Sequence, residues 1–155
     1  MLDSLIIFAA QYLLAFSFLI AGYYFFAASA DHKKKIFLVA AIGLPLIYIL
    51  ALAAGFAYYD PRPFVLGGFA PLIPHAADNG FPSDHALLAS AIASIFMYFN
   101  RRAAILLWML AALVVIARVV AGLHHPIDVT ASMLIALVGG FIAWRTGLLA
   151  WNVIQ

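Results

Sequence analysis

Long apolar stretches separated by short polar segments run through the whole chain. A helix needs about 20 apolar residues to cross the hydrocarbon core of a bilayer. Five stretches approach or meet that length, at residues 5–28, 36–58, 85–99, 103–123 and 129–151. The third is the shortest and starts with polar residues, so we expect it to begin at the membrane interface. The pattern predicts an all-α fold, a polytopic membrane bundle of about five transmembrane helices.

The composition strengthens the membrane assignment. The 155 residues are 68% hydrophobic and 9% charged, whereas a soluble domain is roughly half apolar and a quarter charged. A soluble domain of this length has too little interior to bury so many apolar side chains. We expect a single domain over residues 1–155. The formal charge of +2 is small and scattered, which argues against a nucleic-acid partner, and the absence of Cys excludes disulfides and thiolate chemistry.

The first apolar stretch has a second interpretation. It ends in Ala28-Ser29-Ala30, which resembles a signal-peptidase site. However, it lacks a basic segment before the apolar run, and that run is longer than in typical signal peptides. We therefore favour a permanent helix over a cleaved signal.

The basic residues predict the orientation in the membrane. They follow the first, third and fifth stretches, at residues 33–35, Arg101, Arg102 and Arg145. With five spans these positions fall on one side, and the positive-inside rule makes that side cytoplasmic. We expect a multi-pass protein of the cell membrane with its N-terminus outside and its C-terminus inside.

Most of the remaining ionisable groups fall on the opposite, extracytoplasmic side. Arg118 lies roughly 22 Å along the fourth helix, close to that face. The others lie in loop 60–84, at the residue after it and in turn 122–128, namely Arg62, His75, Asp78, Asp84, His85, His124, His125 and Asp128, with the polar Ser83 among them. Ionisable groups gathered at one level of a membrane protein indicate a functional site.

Two predicted helix starts meet at this face. Pro82-Ser83-Asp84 is a typical beginning for the third helix, and Pro126 with Asp128 for the fifth. Helix N-termini bind anions through free backbone N–H groups. Arg62 and Arg118 add guanidinium groups, whose planar fork matches phosphate oxygens. Together these features predict a phosphate pocket.

A nucleophile and a proton donor would make the pocket catalytic. His124 and Asp128 are four residues apart, so the carboxylate can hold one imidazole nitrogen and leave the other free to attack. His85 can protonate the leaving oxygen. Arg62, Ser83 and Arg118 would stabilise charge on the transferred phosphoryl group.

Simpler interpretations stand beside these roles. His75 or His125 taken singly is more typical of a cap or an exposed residue. Arg118 could anchor the interface, Arg62 could mark a rigid turn, and Ser83, Asp84 and Asp128 could only cap helices. A zinc site of His85, His124, His125 and Asp128 is the chemical competitor. Two nearby arginines would repel the ion, so we predict neither metal nor cofactor.

The spacing of these residues resembles the type-2 phosphatidic acid phosphatase superfamily, which shares its core with vanadium haloperoxidases. The family motifs are Lys-x6-Arg-Pro, Pro-Ser-Gly-His and Ser-Arg-x5-His-x3-Asp. Here they read as Arg62-Pro63, as Pro82-Ser83-Asp84-His85, and as Arg118, five residues, His124, three residues, Asp128. The likeness covers about residues 36–145. It implies that His124 is the nucleophile, Asp128 its orienter and His85 the general acid, with Arg62, Ser83 and Arg118 holding phosphate.

Three departures from the family pattern matter. Gly55 stands where the motif has Lys, Ala117 replaces the Ser before Arg118, and Asp84 replaces Gly. The Pro-Ser-Asp-His form looks like bacterial undecaprenyl-diphosphate phosphatases linked to bacitracin resistance. Asp84 belongs to this substrate-binding segment, but we expect it to cap the third helix or pair with an arginine. Many members have six spans, so five would be fewer than usual.

The resemblance implies a metal-independent lipid phosphatase that works through phosphohistidine. Undecaprenyl diphosphate is the first substrate to consider. Phosphatidic acid, phosphatidylglycerol phosphate or another lipid phosphate is the alternative within that class. A non-catalytic lipid-phosphate binding protein is a second class, which the missing Lys favours, and a purely structural membrane protein is a third.

Overall fold

Six α-helices and their connections make up the described part of the chain. The computed structural model describes the backbone of residues 1–154 and the side chains through residue 151. The helices are α1 (Leu2–Ala27), α2 (Ala30–Ala57), α3 (Pro63–Gly67), α4 (Asp84–Phe96), α5 (Arg101–Val120) and α6 (Pro126–Ile154). No strand occurs over these residues, where one isolated bridge joins Pro61 and Asn79. The all-α prediction is confirmed.

Each of the five predicted stretches forms one helix. α1, α2, α5 and α6 are long and apolar enough to cross a membrane, whereas α4 has 13 residues and is shorter. α2 begins six residues before the predicted stretch because Ser29 starts it, with its hydroxyl accepting a hydrogen bond from the His32 N–H at 3.4 Å. The five-residue α3 was not predicted; it starts at Pro63 in the loop after α2.

α4 is the central helix of the bundle. It contacts α5, α6, α2 and α1, and all of its residues from Ala86 to Phe96 except Leu88 are buried. Alanine and serine occupy six of the positions between 86 and 94, and small side chains let neighbouring helices approach closely. The shortest helix is therefore enclosed by protein, and the longer helices surround it.

Glycines in α6 allow the tightest helix contacts. A Cβ atom at Gly139 would lie 2.5 Å from Ile47 Cγ1 of α2. A Cβ at Gly140 would lie 2.5 Å from Ser94 Oγ and 2.9 Å from Ser94 Cβ of α4. These two glycines permit the close approach, and α6 is thereby packed against both α2 and α4.

Large apolar side chains cover the outside of the bundle. Exposed examples occur on α1, α2, α5 and α6, including Phe8, Phe37, Leu113 and Leu134. A contiguous apolar exterior of this kind matches a lipid environment. The polar groups discussed next lie instead at one end of the bundle, where the loop after α2, the start of α4 and the α5–α6 turn come together.

Candidate active site

The structure brings the predicted phosphate-binding and catalytic side chains together at that end of the bundle. Arg62, Ser83, Arg118, His124 and Asp128 are all buried, with exposed fractions of 0–6%. Burying charged groups is costly unless they are paired or hydrogen-bonded. A cluster of two arginines, a histidine and an aspartate at this depth therefore indicates a built site.

His124 has its two ring nitrogens in different surroundings. Its Nε2 lies 3.3 Å from Arg62 Nη1 and 3.3 Å from Arg118 Nη2. Its Nδ1 lies 2.9 Å from the carbonyl oxygen of Gly80. Arginine can only donate, so Nε2 is the acceptor and Nδ1 carries the proton given to Gly80. The unprotonated Nε2 thus faces two guanidinium groups, the arrangement needed for attack on a bound phosphate.

Asp128 and a backbone carbonyl group both contact His124 Nδ1 and so orient the ring. Its Oδ2 is 3.4 Å from His124 Nδ1 and accepts a 2.8 Å hydrogen bond from the His125 N–H. The Gly80 carbonyl is closer to His124 than the carboxylate is. The sequence motif predicted the carboxylate; the carbonyl was missed, because a backbone atom leaves no signature in the residue types.

Arg62 is held in place by two neighbours. Its Nε donates to Asp78 Oδ1 at 2.6 Å, and its Nη1 donates to the Leu123 carbonyl at 3.0 Å. Burial opposes ionisation of the Asp78 carboxyl, but the hydrogen bond and the positive charge of Arg62 outweigh it and hold the pKa of Asp78 below its usual value. Asp78 was noted in the sequence without a role, and it fixes the guanidinium.

Four buried side-chain atoms have no hydrogen-bond partner among the described residues. Two are Ser90 Oγ and Asp128 Oδ1; the other two are Ser83 Oγ, immediately before α4, and Arg118 Nε. Ser83 does not cap α4 through its side chain, so the capping interpretation of this residue is wrong. Unpaired buried polar groups are rare and point to a missing partner. Ser83 Oγ and Arg118 Nε belong to residues predicted to contact phosphate, whose oxygens would satisfy them.

His85 and Asp84 differ from the groups described above. The His85 side chain is half-buried in the first turn of α4, and its ring makes no hydrogen bond to another described residue. Asp84 is exposed and lines a cavity of about 450 Å³ between α2 and α4, beside Tyr48 and Leu52. In the described part of the chain it neither caps α4 nor pairs with an arginine, so that expectation is wrong. Its side chain lines the apolar groove between the two helices.

Gly55 lies against the loop that enters α4. A Cβ there would be 3.2 Å from the Phe81 carbonyl oxygen, and the Gly55 carbonyl accepts a 3.2 Å hydrogen bond from Asn79 Nδ2. Asn79 Oδ1 in turn accepts from the backbone N–H groups of Asp60 and Phe81. Asn79 therefore ties the loop to the end of α2, at the position where the family motif has its Lys.

His125 and Asp60 form a second imidazole–carboxylate pair beside the first. His125 Nδ1 lies 3.0 Å from Asp60 Oδ2. Asp60, His125 and Asp128 offer ligand atoms within 4.8 Å of one another, and these three residues could hold a metal ion. The zinc site considered from the sequence had different ligands, because it included His85 and His124 and not Asp60. The Nε2 atom of His124 faces the arginines instead. The nearby arginine charges disfavour a cation here, for the same reason as before.

Comparison with known proteins decides the family. The model of the PAP2 superfamily matches residues 34–151. The chain belongs to the PAP2 superfamily.

Two bacterial relatives of this PAP2 protein carry names linked to bacitracin or to undecaprenyl diphosphate. The undecaprenyl-diphosphatase BcrC of Bacillus subtilis is 33% identical over 147 residues, which cover 93% of this chain and 74% of that protein. The bacitracin transport permease protein BcrC of Bacillus licheniformis is 30% identical over 146 residues, covering 93% and 71%. The likeness to the bacitracin-linked phosphatases is thereby confirmed.

Two solved structures share the fold. LpxE of Aquifex aeolicus superposes with a TM-score of 0.72 at 23% identity, over 93% of this chain and 86% of that one. The PAP2-type phosphatidylglycerolphosphate phosphatase of Bacillus subtilis gives 0.60 at 23% identity, over 92% and 74%. With the apolar helices, the family match makes the chain a multi-pass membrane protein of a lipid phosphatase family. It is a hydrolase that acts on phosphate groups.

Proposed function

We propose that this PAP2 enzyme hydrolyses a polyprenyl diphosphate, with undecaprenyl diphosphate as the first candidate, to the monophosphate at the extracytoplasmic face of the cell membrane. The observation that carries the proposal is the placement of His124 Nε2 at 3.3 Å from a guanidinium nitrogen of both Arg62 and Arg118. A phosphate bound by both arginines lies against the nucleophilic nitrogen, and proximity of this kind supplies much of the rate.

The first half-reaction forms a phosphohistidine. The Nε2 lone pair of His124 attacks the terminal phosphorus, and the N–P bond forms as the P–O bond to the lipid monophosphate breaks. Protonated His85 gives its proton to the departing oxygen. Arg62, Arg118 and the Ser83 hydroxyl bind the equatorial oxygens, on which charge is spread during transfer. Asp128 and the Gly80 carbonyl keep the proton on Nδ1.

The second half-reaction restores the enzyme. Neutral His85 takes a proton from a water molecule as the water oxygen attacks phosphorus. The N–P bond breaks, and its electrons return to Nε2 of His124. Inorganic phosphate leaves, and His85 is again protonated. Two guanidinium groups, rather than a divalent cation, balance the phosphoryl charge in this scheme, so the proposed reaction is metal-independent.

Three observations favour a diphosphate. The 33% identical relative is named an undecaprenyl-diphosphatase. The Pro82-Ser83-Asp84-His85 sequence matches the form associated with such enzymes. In addition, a phosphoanhydride has a better leaving group than an alkoxide, so it demands less of a site that has Gly55 in place of Lys. A lipid monophosphate such as phosphatidylglycerol phosphate remains the alternative, because a phosphatase of that substrate shares the fold.

The test compares kcat/KM for undecaprenyl diphosphate, phosphatidic acid and phosphatidylglycerol phosphate in one detergent. We expect at least a tenfold preference for the diphosphate, which corresponds to about 1.4 kcal/mol of transition-state stabilisation. EDTA is present throughout, and activity is expected to survive it. A preference for either monophosphate would reject the substrate assignment, and loss of activity restored by zinc or magnesium would reject the metal-free reaction.

A further inference from the structure

A closed ring of hydrogen bonds and one ion-pair contact surrounds the Nδ1 side of His124. It runs from the Asp60 carbonyl to the Gly80 N–H at 2.8 Å, and from the Gly80 carbonyl to His124 Nδ1 at 2.9 Å. His124 Nδ1 is 3.4 Å from Asp128 Oδ2, which accepts from the His125 N–H at 2.8 Å. The His125 imidazole closes the ring through its 3.0 Å bond to the Asp60 carboxylate.

The proposed reaction assigns no role to the last of these bonds. We propose that His125 and Asp60 are positioning residues, a second imidazole–carboxylate pair that holds the Gly80 carbonyl and Asp128 at the distance from which both contact His124. This inference rests on the function proposed above. It gives a purpose to two residues whose types the three sequence motifs do not specify.

The need for such a pair follows from the loop that carries Gly80. The residues between α3 and α4 form no helix or strand, yet they supply the atom closest to His124 Nδ1. Asn79 attaches this loop to the end of α2, and the Gly80 N–H attaches it to the Asp60 carbonyl, in the segment before α3. The Asp60 side chain in turn bonds His125, next to the start of α6, where Asp128 lies. This bond adds to those of Ser83 with Asp128 and Ser132, which join the end of the loop to α6, and it is the one that reaches the residue bonded to Gly80.

The predicted consequence is specific to the chemical step. Arg62 keeps its bonds to Asp78 and to the Leu123 carbonyl when His125 changes, so the pocket still binds phosphate and the fold is retained. What is lost is the aim of Nε2 at the phosphorus atom. Interactions needed only in the transition state lower kcat and leave KM nearly unchanged.

The experiment uses the full chain in detergent with four variants. His125→Ala and Asp60→Ala each remove the bond, and kcat should fall roughly tenfold to hundredfold, the loss typical of partners that orient a working imidazole. Since both remove the same bond, the double variant should lose no more than either one. His125→Asn keeps a side-chain N–H near the position of Nδ1 and should recover most of the activity.

Thr130→Ala is the matched control. It removes an exposed side-chain hydrogen bond, 2.7 Å to the Pro126 carbonyl, from the same end of α6, and kcat should not change. The proposal is overturned if His125→Ala raises KM while kcat stays constant, if the losses of the two alanine variants multiply, or if His125→Asn is as inactive as His125→Ala.

Orthovanadate binding distinguishes failure of this inference from failure of the proposed function. Vanadate mimics the five-coordinate transition state and is held by the attacking nitrogen, so it should bind His125→Ala roughly tenfold to hundredfold more weakly than the unaltered chain. Inorganic phosphate, held by the arginines, should bind both equally. Lack of lipid phosphatase activity in the unaltered chain would reject the function, while equal vanadate affinities would reject the positioning role.

Discussion

At the scale of single residues, the two histidines proposed for catalysis lie in different environments. His124 is 3% exposed and contacts the two arginines and the Gly80 carbonyl. His85 is half-buried, and its ring is free of hydrogen bonds to other residues of the described chain. A nucleophile must be aimed, whereas a proton donor needs room to reach the leaving oxygen and then water. The difference in environment matches the proposed division of roles.

Replacing each histidine should separate these roles. His124→Ala is expected to abolish turnover and phosphoenzyme formation together, because no nitrogen remains to attack. His85→Ala should lower kcat roughly 10²–10⁴-fold by removing the proton donor, and p-nitrophenyl phosphate, whose leaving group needs no proton, should partly restore it. Phosphoenzyme trapping and steady-state rates measure both effects.

Asp128→Asn provides the comparison within this set. It keeps the shape of the side chain and the Gly80 contact remains, so its loss should be smaller than that of His124→Ala. Rescue of His124→Ala by the activated substrate, with none for His85→Ala, would show that the roles are inverted.

The pKa of His75 depends on the charge of the two pocket arginines. Partial burial lowers the pKa of His75 below 6.5, and the positive charges of Arg62 and Arg118 lower it further. Protonation is therefore disfavoured in the folded chain, and the contribution of this group to stability is fully present above pH 6.5 and falls as the pH drops below it. Phosphate binding should raise this pKa because its negative charge offsets the arginines.

Histidine-ring NMR measures that shift, with the signal assigned through His75→Gln. The pKa should be below 6.5 in phosphate-free buffer and rise as inorganic phosphate is added. A value above 6.5 without phosphate, or one that phosphate does not move, would contradict the placement of His75 beside the two arginines.

At the scale of helices, close approach of α6 to α4 depends on a residue without a side chain. An alanine Cβ at Gly140 would lie 2.9 Å from Ser94 Cβ, in a helix that is enclosed on all sides. Gly140→Ala should therefore lower stability by about 1–3 kcal/mol, the usual cost of overpacking a core. Thermal unfolding in detergent gives the measurement.

Gly22→Ala is the control, because nothing lies within 4 Å of the position its Cβ would take in α1. That change should be neutral or stabilise the helix by roughly 0.5–1 kcal/mol. Equal effects of the two substitutions would mean that helix propensity, and not the α4–α6 contact, determines the result.

The long helices could be predicted from sequence because lipid imposes a simple requirement on composition, and four of the five apolar stretches satisfied it by themselves. Residues 30–35 of α2 were missed because their polar side chains hide a helix start set by Ser29. The motif spacing predicted that His124 and Asp128 lie close together, since they are only four residues apart. The Asp60–His125 pair spans 65 residues, and no local pattern reports a contact between such distant positions.

Asp84 shows the opposite limit. Its place inside a motif suggested a partner near the arginines, but its side chain faces the groove between α2 and α4. Adjacent residues at a helix start point in different directions, about 100° apart around the axis. Ser83 and His85 could therefore be assigned to the site from the motif, whereas the direction of the residue between them could not.

At the scale of the whole molecule, the distribution of charge is the basis for a proposed orientation in the membrane. The basic residues 33–35, Arg101 and Arg102 lie at the end of the bundle opposite to the candidate active site. We propose that this basic end is cytoplasmic. The chain has no Cys, so single cysteines can be introduced without a background.

His75→Cys should react with a membrane-impermeant maleimide in intact cells, and Lys34→Cys should react only after permeabilisation. Both residues are exposed on the folded protein, so a difference in labelling between the two cysteines reports the side of the membrane on which each lies. Labelling of Lys34→Cys alone in intact cells would reverse the proposed orientation and place the reaction at the cytoplasmic face.

The Gly80 carbonyl has a consequence for how a site of this kind is mapped. Every amino acid supplies a carbonyl, so side-chain substitution leaves that acceptor in the chain. Gly80→Ala would instead crowd Asp128 Oδ2 and the Asp60 carbonyl, each 3.1 Å from the added methyl group, and its effect would be read as steric. An alanine scan would therefore attribute the effect at residue 80 to a steric clash and would miss the role of its carbonyl oxygen. Replacing the peptide link after residue 80 by an ester weakens the carbonyl as an acceptor and also removes the Phe81 N–H bonded to Asn79 Oδ1, so its effect compared with that of Asn79→Ala would expose the carbonyl.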